Sequence, residues 1–107
     1  MSDNTIEQNI QQPEACQNMT DIRQEIDIID QQIISLIGRR YQYVQAASKF
    51  KTSETSVKAP ERFAAMLLER RKWAEMQSLD PDVIEKIYTE LVHYFIAEEL
   101  KHWKSQA

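Results

Sequence analysis

The sequence predicts an all-helical fold, and three observations carry the prediction. The chain has 107 residues but only one glycine and three prolines. So few breakers favour long uninterrupted elements over many short strands. A heptad-like apolar stripe starts just after residue 20. Two of the prolines, Pro60 and Pro81, stand at the head of amphipathic stretches, where a helix tolerates proline best.

The first helix is read from Ile22, Ile26, Ile29, Ile33, Leu36, Arg40, Tyr43 and Ala47, which follow alternating steps of 4 and 3. Thr20 or Asp21 can cap its start, and Asp21 with Gln24 has capping-box spacing. The pattern runs to about Phe50. At about 1.5 Å per residue the helix is about 45 Å long. A single domain of this size has a radius of gyration near ~13 Å. Such a helix outruns its own globule, so a second copy of the chain is expected to cover it in an intertwined homodimer.

The polar, Ser/Thr-rich segment 51–59 reads as a loop. A second helix follows from Pro60 to about Gln77, with Phe63, Met66, Leu67, Arg70, Trp73 and Ala74 on one side. Ser78-Leu79 interrupts it. Asp80 as N-cap and Pro81 as first helical residue open a third helix, which ends near Lys104. Residues 1–18 are rich in Gln, Asn and acid without a sustained apolar period, and read as a flexible tail with room for one helical turn. The helical domain is placed at residues 19–107.

Composition narrows the function. The balance of 13 Lys+Arg against 17 Asp+Glu gives a net charge of −4. An acidic chain lacks the cation excess that nucleic-acid binding draws on. No apolar run approaches the ~20 residues that span a bilayer, and no secretory leader pattern opens the chain. The lone cysteine, Cys16, cannot form an intrachain disulfide, which suits a reducing compartment and makes the cytoplasm the expected location.

Charges inside apolar stripes mark the candidate chemistry, because buried charge is costly without a partner. Arg40 takes a core-type position in the first helix. Its plain alternative is an arginine that snorkels to water. Arg23 lies near that helix's N-terminus, where a cation opposes the dipole, so it hints at a use outside its own helix. Glu99 falls on an apolar face of the third helix, four residues after Phe95. Lys51 and Arg62 flank the loop. Together these residues suggest an anion pocket, since arginine clamps carboxylates with its fork of donors. Glu99 and His102 have Glu-x-x-His spacing, but the first helix offers no carboxylates in its stripe to complete a metal site. His93 reads as a packed histidine, and Trp73 and Trp103 as core or interface residues.

The run GRRYQYVQAASKFKTSETSVKAPERFAAMLLERRKWAEMQSLDP, continuing to VHYFIAEELKHW, resembles the isochorismate pyruvate lyases of salicylate and siderophore biosynthesis. These belong to the all-helical chorismate mutase family. The resemblance extends from Asp21 to Trp103. The opening DIRQEIDIID is typical of the whole family. Ala46-Ala47-Ser48 with Phe50-Lys51, Ala59-Pro60-Glu61-Arg62 and Ile96-Ala97-Glu98 match the lyase branch.

The resemblance implies a three-helix chorismate mutase type II fold, an intertwined homodimer with two equivalent sites, and elimination of pyruvate from isochorismate to give salicylate. It implies a concerted pericyclic step with no metal and no organic cofactor, and a weak chorismate mutase side activity. It assigns Arg23 to a substrate carboxylate in the partner's site, and Arg40 to the second carboxylate. Lys51 is assigned to the ether oxygen at the start of a closing loop, and Arg62 to ordering that loop and neutralising the dianion. Glu99 stands where the family usually has glutamine. An ionised Glu99 cannot donate a hydrogen bond, whereas a protonated one can, so turnover is expected to fall with rising pH.

Two other functions stay open at this level. A chorismate mutase proper shares the pocket, although many mutases have glutamate where Phe63 follows Arg62 here. A non-catalytic helical dimer would make the cations ordinary surface charges.

Overall fold

The computed structural model describes residues 11–105. Most of the expected tail, residues 1–10, lies outside them. Four α-helices follow in order: α1, Met19–Ala47; α2, Glu54–Lys58; α3, Pro60–Met76; α4, Pro81–Ser105. Two 3-10 turns accompany them, at Pro13–Ala15 and Ser48–Phe50. The described residues contain no strand. The three long helices match the sequence-based expectation to within a few residues at each end.

The chain divides into two compact units between Arg40 and Tyr41, within α1. In the first unit the start of α1 differs from expectation. The cap is Asn18, whose Oδ1 accepts from the Asp21 N–H at 2.9 Å. The Asp21 carboxylate in turn accepts from the Gln17 N–H at 3.1 Å. Asp21 is thus the returning member of the cap, not the cap itself. It also places a negative charge in the first turn, where the helix dipole favours one. Losing such a cap costs about 1 kcal/mol. The segment around Pro13 and Cys16 faces Ile22, Glu25, Ile26 and Ile29 across a small cavity.

No residue of α1 is buried. Its apolar stripe stays open to solvent in the single chain, with Ile26 50%, Ile29 42%, Ile33 47% and Leu36 56% exposed. A helix of this kind draws little stability from propensity alone and relies on covering its apolar face.

The second unit holds the core: Val57, Met66, Ala74 and Phe95 are buried. Tyr41, Tyr94 and Phe95 form an aromatic cluster with centroids 5.3–6.4 Å apart. Phe63 packs against His93 with the rings tilted and their centroids 5.4 Å apart, which gives that histidine a packing partner. Arg70 lies over the faces of Trp73 and Tyr88, at 4.5 and 5.6 Å from the ring centroids. That contact accounts for a cation on the apolar side of α3.

Helix α3 ends in a Schellman arrangement: the Leu79 N–H bonds to Ala74 O at 2.8 Å and the Ser78 N–H to Glu75 O at 3.1 Å. Ser78 takes the left-handed conformation usually given to glycine, with φ 60°. Asp80 then caps α4, as expected, its Oδ1 accepting from the Asp82 N–H at 2.9 Å. Arg71 ties α3 to α4 by charge-assisted bonds to Asp82 at 2.8 Å and Glu85 at 2.7 Å. Those two carboxylates, through the bonds they accept, hold the guanidinium still more firmly protonated than usual.

The expected loop 51–59 is not all loop. Ser53 and Ser56 close a capping box and start the short helix α2. The pattern Ser53-Glu54-Thr55-Ser56 carries the signal, with serine where glutamate or glutamine is more usual. Val57 anchors this helix, only 2% exposed. Ala59 ends it in the left-handed region, with φ 42° and ψ 62°, immediately before Pro60.

Candidate functional site

Lys51 follows the 3-10 turn Ser48–Phe50 in an extended conformation, φ −91° and ψ 140°. The turn is fixed by Ser48, which is 1% exposed and whose Oγ donates to Gln45 O at 2.7 Å. The Lys51 N–H bonds to Ser48 O at 3.2 Å. Its carbonyl accepts from the Trp103 indole N–H at 3.2 Å. Its ammonium donates to Ser56 O at 3.0 Å. The same nitrogen lies 3.4 Å from Glu99 Oε2.

Glu99 is 4% exposed, whereas the Lys51 side chain keeps 22% of its surface. The pair therefore sits at the edge of the core, with the carboxylate inside and the lysine nearer solvent. Glu99 Oε2 accepts no directed hydrogen bond. Its contact with Lys51 is held by charge across 3.4 Å rather than by aligned donor and acceptor. A buried acceptor with an open valence is rare in a folded chain. A donor on a ligand would fill it.

Of the five residues singled out by sequence, the second unit brings Lys51 and Glu99 together. Arg62 lies in the first turn of α3 and is exposed. Arg23 and Arg40 both belong to the first unit, Arg23 exposed and Arg40 half-buried. Seventeen residues of one helix separate them, about 25 Å at 1.5 Å per residue. That span exceeds the distance between two carboxylates on a single-ring substrate. The two arginines of one chain therefore cannot clamp the same small dianion.

Two contributors were not legible as functional in the sequence. Ser56 acts through its backbone carbonyl, which no side-chain pattern reveals. Trp103 looked like a packing residue, but its indole N–H reaches the Lys51 backbone 52 positions away. Among the described residues no group of three or more His, Cys, Asp or Glu side chains is gathered as for a metal ion. No helix among them is long and apolar enough to cross a membrane.

The fold is all-helical among the described residues, and it sets a lysine just beyond a long first helix against a buried carboxyl. The chain belongs to the chorismate mutase type II family, whose model matches residues 22–100. Within that family it is 49% identical over 92 residues to the isochorismate pyruvate lyase of Pseudomonas aeruginosa, covering 86% of this chain and 91% of that protein. It is also 34% identical over 82 residues to a T-protein of Haemophilus influenzae, and 34% over 70 residues to a T-protein of Enterobacter agglomerans. Those matches cover 76% and 64% of this chain but only 22% and 19% of the T-proteins.

Proposed function

We propose that this chain is an isochorismate pyruvate lyase, releasing pyruvate from isochorismate to leave salicylate. The observation that carries the reading is the 49% identity, over nearly the whole of both chains, to a relative of that name. The geometry suits the chemistry. As the ring C–O bond breaks, a hydrogen moves from the ring to the methylene end of the enolpyruvyl group. No proton is exchanged with a side chain and no covalent adduct forms. The enzyme's task is to hold a reactive conformer and to stabilise charge that develops on the departing oxygen.

Lys51 is suited to that oxygen. Its ammonium is aimed by Ser56 O and Glu99, and its side chain stays partly exposed. A cation so placed interacts more strongly with the transition state than with the ground state, and so raises turnover as well as binding. Arg40 and Arg62 are assigned to the substrate's negative charge, and Glu99 to the substrate contact beside Lys51. Chorismate carries the same enolpyruvyl ether and two carboxylates, so a weak mutase activity accompanies the lyase.

Arg23 is assigned to the site of a second copy. Two observations support a homodimer: the open apolar stripe of α1, and the separation of Arg23 from Arg40 along that helix. An exposed apolar stripe of this length is a surface for another chain. A lone cysteine suits a reducing setting, and the cytoplasm is the location we propose.

The test incubates the purified chain with isochorismate and, separately, with chorismate. Salicylate fluorescence with stoichiometric pyruvate is the expected result. Prephenate from chorismate without salicylate from isochorismate would replace the lyase by a mutase, and neither product would leave a non-catalytic helical module.

A further inference from the structure

Lys51 is held at both ends. Its side chain is aimed by Ser56 and Glu99, and its main chain is pinned by Ser48 and Trp103. Of the two main-chain bonds, the one to Ser48 is local and closes a 3-10 turn. The other comes from a different helix. Glu99 and Trp103 are four residues apart in α4, so one face of that helix supplies both the counter-charge of the ammonium and the donor to its carbonyl. The carbonyl belongs to the peptide link that leads into α2, the short helix whose Ser56 carbonyl takes the ammonium. A shift of the Lys51 backbone would therefore move the cation away from both of its acceptors at once.

We propose that Trp103 is a positioning residue for Lys51, its indole N–H fixing the main chain from which the ammonium is aimed. The kinetic side of this inference rests on the lyase reading of Lys51; the geometric side does not. Trp103 touches no reacting atom. Its part is to hold the cation within the narrow range in which it meets the departing oxygen. Such alignment is sensitive, since a displacement near 1 Å can cost about 10²-fold in rate.

The decisive variant is Trp103→Phe, which keeps an aromatic ring and deletes the donor. Two measurements are made on the full chain. The first is lysine acylation with limiting acetic anhydride, read residue by residue by mass spectrometry. Lys51 is expected to react several-fold faster in the variant, while Lys49 and Lys101 keep their rates. The second is steady-state turnover of isochorismate, with kcat expected to fall about tenfold and KM to move less than about threefold. Unchanged acylation of Lys51 would overturn the proposal. So would a uniform rise at every lysine, which would mean general loosening. If wild-type protein yields no salicylate, the lyase reading fails and the acylation pattern alone decides whether Trp103 positions Lys51.

Discussion

The Lys51 ammonium lies 3.4 Å from Oε2 of Glu99, a carboxyl only 4% exposed, so the site's cation meets a buried acid of α4. A glutamine in place of Glu99 would present the same volume with a permanent N–H donor and no charge. The glutamate instead sets a carboxyl against the Lys51 ammonium.

Exchange of the charge should be visible in turnover. Glu99→Gln, which sets a permanent N–H donor in the place of the carboxylate that faces Lys51, should turn isochorismate over at least as fast as wild type. The measurement is kcat and KM for both proteins under one buffer condition. A variant much slower than wild type would show that the carboxyl itself, and not a donor at this position, serves turnover.

Removing the cation tests the other half of the pair. Lys51→Ala should lower kcat by about 10²–10³-fold, the scale found when one oriented charge stabiliser is deleted. The fold should persist, because the Lys51 contacts from Ser48 and Trp103 are made to its backbone. Circular dichroism and salicylate release are the paired readouts. Near-normal turnover would dismiss Lys51 from the mechanism.

The long interval between Arg23 and Arg40 gives a complementation test. Arg23→Ala and Lys51→Ala should each be nearly inactive alone. Mixed after unfolding and refolding together, they should recover about a quarter of the wild-type activity. Half of the random dimers are then hybrids, each with one of its two sites intact. No recovery would mean that both residues serve the same chain's site, or that no dimer forms.

Ala59 holds a left-handed conformation, φ 42°, at the junction of α2 and α3. That costs a non-glycine residue about 1–2 kcal/mol. Ala59→Gly relieves the strain but frees the unfolded chain, so the net change should stay within about 1 kcal/mol. Ala59→Val should destabilise by more than that, because a β-branched side chain is a poorer fit to this region. Urea midpoints at constant slope provide the comparison.

Cys16 offers a check on the first unit. Its partial burial, with Asp21 and Glu25 nearby, raises the thiol above its ordinary value. Less thiolate is then present at any given pH, so alkylation by iodoacetamide at pH 8 should lag that of an unstructured cysteine peptide. Disrupting the Asn18 cap with Asn18→Ala should narrow the lag. A wild-type rate equal to the peptide's would show that the N-terminal segment does not lie against α1.

By itself the sequence determined the three long helices, though not the short α2. The 3.6-residue periodicity, Pro60, Asp80 and Pro81 are local signals, and local signals suffice where hydrogen bonds run between residues four apart. It also marked Arg40 and Glu99 as odd, because a charge among apolar neighbours shows in the pattern alone, whereas Lys51 stood out only as a cation flanking the loop. Other features waited for tertiary structure: that Lys51 and Glu99 meet, that Ser56 lends a carbonyl, and that Trp103 pins a backbone 52 residues away. Such contacts join residues far apart in sequence through backbone atoms that every residue shares. No side-chain pattern encodes them, and only the packing of α4 on the segment around Lys51 and α2 brings them within reach.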